Sequence, residues 1–169
     1  MINSNLKSNR KQDAEYYKKA ADEGKIDAML IYAKMLETGD GVPINNEEAA
    51  YYLKTAADKG CVKAMYDYAM ILDSGIGVQA DVEEAAKYYK MAADNDHVDA
   101  MFVYGTMLED GDGVAMNKVE AGKYYKKAAD EGQIDAMYNY AIFLDNGIGL
   151  SIDIKEAAKY YKMAADKGN

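Results

Sequence analysis

The sequence predicts an all-α fold made of stacked helix pairs, and three observations carry the prediction. The segment Ala56-Ala57-Asp58 recurs 36 residues on at Ala92-Ala93-Asp94, and again at Ala128-Ala129-Asp130 and Ala164-Ala165-Asp166, with an earlier copy at Ala20-Ala21-Asp22. A period of this size is the mark of a solenoid, in which each unit buries its apolar face only against its neighbours. The chain has a single Pro and is rich in Ala, Met, Glu and Lys, which favours helix throughout. Glycine falls at regular intervals between the helical patterns, where turns are needed.

Residues 1–8 are polar and read as a flexible tail, and residues 9–169 as one solenoid domain. A leading helix of the second kind, helix B, occupies residues 9–24, because Asn9 and Gln12 fill the slots of a capping box. Four helix pairs then follow at about 25–60, 61–96, 97–132 and 133–168, which predicts nine helices in total. Helix A of each pair runs about from Asp27 to Thr38, Lys63 to Ser74, Asp99 to Asp110 and Asp135 to Asn146. It stops at Gly39, Gly75, Gly111 and Gly147, where a left-handed residue closes a helix without a Cβ clash. A second glycine (Gly41, Gly77, Gly113, Gly149) and an apolar residue (Val42, Val78, Val114, Leu150) complete the turn.

Helix B opens on a repeated capping box: Asn45 with Glu48, Asp81 with Glu84, Asn117 with Glu120, and Asp153 with Glu156. The first side chain can accept from a free first-turn amide while the Glu reaches back to the cap amide. Small residues and a Tyr pair fall on one face of helix B, and Lys on the other. Gly24, Gly60, Gly132 and Gly168 end it, with Asp96 as the exception.

Composition excludes several classes of function. At 50% hydrophobic residues the chain can bury a sizeable core. A net charge of −9 repels a phosphate backbone, so no nucleic-acid partner is expected. No stretch approaches a membrane span, and the first residues lack the apolar run of a signal peptide. The one cysteine excludes an internal disulfide and fits a reducing, cytoplasmic setting.

The pattern Leu-x-x-Gly-x-Gly-Val, followed by Glu-Ala-Ala-x-Tyr-Tyr-Lys-x-Ala-Ala-Asp-x-Gly, resembles the Sel-one-like repeat (SLR) family, relatives of the tetratricopeptide repeats. The resemblance runs from Asn9 to Gly168 and implies a right-handed α-solenoid with helix A on the concave side. It also implies a non-enzymatic adaptor that binds protein. Some bacterial secreted proteins of this kind bind or hydrolyse penicillins, which gives an enzymatic alternative. The sequence departs from the family at the helix B Trp, which is Tyr here (Tyr88, Tyr124, Tyr160), and at a helix A Gly kept only at Gly105. It also exchanges the helix A Leu and Tyr, as in Tyr32 and Leu36.

Comparison among copies separates scaffold from site. Cys61 and His97 share a slot with Lys25 and Gln133, so that slot has no fixed chemistry and neither residue is expected to be catalytic. The acidic loop Glu109–Gly113 lacks the ligand spacing of a calcium loop, and the Gly-x-Gly pairs follow no strand. No cofactor or metal is therefore expected. Thirteen of the sixteen tyrosines occupy repeated slots and are expected in the core.

The variable face of helix A remains. Projected at 100° per residue, it lies at about 200° to 300° from Ala28 and its counterparts. It holds Leu30, Ile31, Lys34, Tyr66, Asp67, Met70, Phe102, Val103, Thr106, Tyr138, Asn139 and Ile142, with Thr38, Ser74, Asp110 and Asn146 at its end. This face is too apolar to be simply solvated: as a strip it is the expected binding surface, while any one of its side chains can instead pack against the neighbouring repeat's helix A. Acidic residues at Glu37, Asp73, Glu109 and Asp145 flank it, which suggests a peptide with apolar anchors and some positive charge. The array begins and ends on helix B without polar caps, which leaves two expectations: a segment of a longer array, favoured by the stop at Lys167-Gly168-Asn169, or end-to-end association.

Overall fold

A computed structural model describes residues 2–168, with side chains from Asn9 onward. Among the described residues there are nine α-helices and no strands: α1 Ile2–Asp22, α2 Ile26–Thr38, α3 Asn46–Asp58, α4 Val62–Ser74, α5 Val82–Asp94, α6 Val98–Asp110, α7 Lys118–Asp130, α8 Ile134–Asn146 and α9 Ile154–Lys167. Helix A corresponds to the even-numbered helices and helix B to the odd-numbered ones. The chain divides into two compact units at Asp81/Val82. Consecutive helices pack on one another from α1 to α4 in unit 1 and from α5 to α9 in unit 2.

The ends of helix A fall where the glycines place them. Gly39, Gly75, Gly111 and Gly147 are all left-handed, with φ of 73°, 70°, 77° and 68°. The starts differ by one residue, at Ile26, Val62, Val98 and Ile134. At the front of the chain the difference is larger. Only Met1 of the expected tail lies outside the described residues, and α1 takes in the rest from Ile2. No Gly or Pro interrupts residues 2–13, so nothing forces the helix to begin at the Asn9 cap signal.

The second glycine of each loop does more than turn the chain. A Cβ on Gly41 would lie 2.2 Å from the Arg10 carbonyl oxygen, and one on Gly77 2.4 Å from that of Asn46. In unit 2 the corresponding approaches are Gly113 to Val82 at 2.4 Å and Gly149 to Lys118 at 2.6 Å. Each loop thus rests its main chain on the backbone of the helix B before it, at a distance only glycine allows.

The capping box is realised by half. Asn45, Asn117 and Asp153 accept from the backbone N–H of Glu48, Glu120 and Glu156 at 3.1, 3.1 and 2.9 Å. The reciprocal Glu contact is not needed, because the cap N–H already donates to helix A. Asn45 N–H reaches Leu36 O at 3.0 Å, Asn117 N–H reaches Leu108 O at 2.7 Å, and Asp153 N–H reaches Leu144 O at 2.9 Å. Glu48 and Glu120 turn instead to Lys18 and Lys123, both at 2.9 Å. At the other end of helix B, Asp96 adopts the left-handed φ of 65° that glycine takes at Gly24, Gly60 and Gly132, whereas Gly168 is right-handed at −85°.

The core is a tyrosine and alanine stack. Tyr32 meets Tyr52 edge-to-face at 5.2 Å, Tyr104 meets Tyr124 at 5.0 Å, and Tyr140 meets Tyr160 at 4.9 Å. The helix B hydroxyl of each pair donates to the Asp of the preceding Ala-Ala-Asp: Tyr52 to Asp22 at 2.5 Å, Tyr124 to Asp94 at 2.7 Å, and Tyr160 to Asp130 at 2.5 Å. The motif that defines the period is therefore two small residues that let helices approach and one acceptor for the next repeat's phenol. Lys90 and Lys126 bind those Asp residues from the same helix at 2.5 and 2.6 Å. Burial opposes ionisation of Asp94 and Asp130, but the Lys and Tyr bonds outweigh it and hold both carboxyls below their ordinary range. Three tyrosines placed in the core by their slots are not there: Tyr16 is 66% exposed, and Tyr17 and Tyr161 are half-buried.

Candidate functional site

The repeated positions of helix A, such as Ala28, Met29, Tyr32, Ala33 and Leu36, are buried as their spacing requires. A further position, Met35, Ile71, Met107 and Phe143, joins them in the core. The variable face of helix A stands apart from this core, and its fate differs between the two units.

In unit 1 it opens into a groove with a volume of about 660 Å³. One wall is α2, which contributes Leu30, Ala33, Lys34 and Glu37. The opposite wall is α4, with Lys63, Asp67, Met70, Ile71 and Ser74. The floor is Asn46, Ala49 and Leu53 of α3, and Ile76 adds an apolar side chain from the loop after α4. Four of the sequence-predicted residues, Leu30, Lys34, Asp67 and Met70, are brought together here. Ile31 and Tyr66 are not part of the lining. The rim is locally neutral, because Lys34 pairs with Glu37 at 3.0 Å and Lys63 with Asp67 at 2.8 Å. Within the groove Glu37 and Asp67 are therefore each answered by a lysine.

In unit 2 the same space is filled. Tyr125 of α7, two repeats after Leu53, is fully buried between α6 and α8. Its ring lies 5.9 Å from Phe102 and 5.2 Å from Phe143, edge-to-face with the latter. Its hydroxyl donates to Glu109 at 2.7 Å and hydrogen-bonds with Asn139. Burial first, and then the Glu109 bond, push this phenol far above its ordinary pKa, so it stays neutral. Gly105 makes the room: a methyl there would meet the Tyr125 ring carbons at 2.9 Å. Phe102 and Asn139 thus serve the packing of unit 2. Thr106 is half-buried, its hydroxyl returned to Val103 O at 2.6 Å, and Val103 and Ile142 are half-buried too. Tyr138 is 54% exposed, with its ring against Tyr161 at 5.7 Å.

The residue that sequence reasoning passed over is Leu53. Its slot holds Tyr17, Tyr89, Tyr125 and Tyr161 in the other copies, so the departure was visible. Its meaning was not, because only the packing of Tyr125 shows how much space the missing ring leaves.

Cys61 and His97 both lie at helix starts. They occupy the N-cap of α4 and α6, as Lys25 and Gln133 do for α2 and α8. His97 Nδ1 accepts from Ala100 N–H at 3.3 Å and Gln133 Oε1 from Ala136 N–H at 2.6 Å, whereas Lys25 and Cys61 cap nothing. Among the described residues no group of three or more His, Cys, Asp or Glu could hold a metal ion, and no helix is long and apolar enough to cross a membrane.

The Sel1 repeat family model matches residues 10–25, 26–61, 62–97, 98–133 and 134–169, one helix B and four helix pairs. The chain belongs to the Sel1 repeat family. Among solved structures it is similar to a Sel1 repeat protein from Oxalobacter formigenes, with 31% identity and a TM-score of 0.80 over 85% of this chain and 57% of that one. It is similar to c5321, a protective antigen of uropathogenic Escherichia coli with an SLR fold, at 27% identity and a TM-score of 0.90 over 94% of this chain and 34% of that one. A third is Helicobacter pylori cysteine rich protein B, at 25% identity and a TM-score of 0.60 over 77% of this chain and 93% of that one. The Sel1 chain thus spans little more than half of the first of these proteins and a third of the second. No curated protein matches it. Sel1 repeats are typically scaffolds for protein interaction, and the fold described above is such an all-α repeat array.

Proposed function

We propose that this Sel1 array is a non-enzymatic scaffold that holds a segment of a partner protein in the groove between α2 and α4. The observation that supports this reading is the groove itself, with an apolar floor, an exposed Met70 and a rim of two ion pairs. Apolar contact there supplies affinity, and the rim groups supply orientation. Both rim pairs are exposed enough to be worth little to the fold, so a ligand can recruit them at small cost. The single cysteine suits a reducing cytoplasm. Affinity capture with the whole chain, repeated with Met70→Glu, tests the assignment. A charge at that rim position is expected to weaken partner binding at least tenfold and leave the helical fold intact. Unchanged binding by Met70→Glu, together with loss by Tyr138→Glu in unit 2, moves the site to the α8 face.

A further inference from the structure

Unit 2 carries its own ligand in covalent form. Tyr125 is anchored on α7 and plugs the space between α6 and α8, ringed by Phe102, Gly105 and Phe143, with its hydroxyl on Glu109 and beside Asn139. In unit 1 the same slots read Leu30, Ala33 and Ile71 for the ring's surroundings, and Glu37 and Asp67 for the hydroxyl's partners. The walls stay apolar and the acceptor Glu109 is kept as Glu37, while the tyrosine is replaced by Leu53 and the donor Asn139 by Asp67.

We infer that the groove of unit 1 is a pocket for a tyrosine side chain supplied by a partner, bound with its ring over Leu53 and its hydroxyl donated to Glu37. This rests on the scaffold reading above and names what the groove recognises. The chemistry favours a neutral phenol over a cation. Lys34 and Lys63 already balance the two carboxylates at 3.0 and 2.8 Å, so an incoming ammonium would have to displace them. A phenol O–H needs only a free lone pair, and a carboxylate that accepts from one Lys keeps several. A carboxylate acceptor also makes the stronger class of hydrogen bond. The Ala33 methyl, which stands where Gly105 admits Tyr125, does not bar the ring. A ligand from outside is not tied to the α3 backbone and can settle a few tenths of an ångström higher.

Two-dimensional NMR of the full chain, titrated with N-acetyltyrosinamide, N-acetylphenylalaninamide and N-acetyllysinamide, tests the inference. The tyrosine amide is expected to shift the amides of Ala33, Glu37, Ala49 and Asp67, and to bind about tenfold more tightly than the phenylalanine amide. Glu37→Gln is expected to erase most of that preference. Leu53→Tyr with Ala33→Gly, which rebuilds the unit 2 plug, is expected to abolish binding. Tyr125→Leu is expected to open a second site with the same preference. Equal binding of the tyrosine and phenylalanine amides, or tighter binding of the lysine amide, overturns the phenol assignment. Shifts confined to other surfaces overturn it as well. If the amides fail while Met70→Glu still blocks a captured partner, the scaffold reading stands and the tyrosine inference falls alone.

Discussion

The two units are built from the same parts and differ in what fills the space between successive A helices. Unit 2 closes it with Tyr125, fully buried among aromatic rings, and unit 1 has a groove above the smaller, buried Leu53. The units differ at the helix starts too, since side chains cap α6 and α8 but not α2 and α4. A repeat frame thus tolerates an emptied interior position without losing its helices or turns. The same vacancy that costs packing is what makes unit 1 able to hold something else.

The largest test of this contrast is Tyr125→Leu. Loss of the ring contacts to Phe102 and Phe143, with Glu109 left without its donor, is expected to cost about 3 kcal/mol in urea unfolding. A loss near zero would mean that Tyr125 only covers a space that collapses. Gly105→Ala comes next: the methyl meets the buried ring at 2.9 Å, and overpacking of this kind costs about 1–3 kcal/mol. Its mirror, Ala33→Gly, faces no ring and is expected to cost only the helix propensity, about 1 kcal/mol.

The tyrosine–aspartate bonds, by contrast, are shared. Tyr52→Phe in unit 1 and Tyr124→Phe in unit 2 are each expected to cost about 1 kcal/mol, and unequal costs would show the ladder to be less uniform than its geometry. Titration checks the same bonds. Burial, then the bond to aspartate, pushes Tyr52 and Tyr160 up from 10.0 to about 12. A raised phenol pKa means the folded state disfavours the ionised form, so this stability is complete below pH 10 and is lost as pH rises from 10 towards 12. A urea midpoint that stays flat across that window would contradict the buried ladder. The smallest effect belongs to the caps. Cys61→Asp supplies the side-chain acceptor that α4 lacks and is expected to add about 0.5–1 kcal/mol, read by hydrogen exchange in the first turn of α4.

Most of the frame was legible in the sequence, because it is local chemistry repeated. Gly39 and its counterparts needed only their lack of Cβ to be placed as helix stops, and Asn45 needed only its reach to Glu48 N–H. The start of α1 was not legible, because the Asn9 cap signal competes with a stretch that nothing breaks. The site was legible by half. Helical projection placed Leu30, Lys34, Asp67 and Met70 on one face, and all four line the groove. The same projection put Phe102 and Asn139 on that face and could not show them engaged by Tyr125, a residue from another helix. A face is a property of one helix, whereas a pocket depends on what the neighbouring helix brings to it. For the same reason Glu37 and Asp67 looked available when Lys34 and Lys63 in fact pair with them.

The loop glycines that rest on the previous helix B have a wider consequence. Gly41, Gly77, Gly113 and Gly149 meet main-chain atoms, so within each unit the step from one repeat to the next is gauged by backbone against backbone. Side chains between the A helices do not set that gauge. An interior residue such as Leu53 can therefore change size without shifting the walls around it. Recognition can then be rewritten one repeat at a time, like type exchanged in a fixed forme.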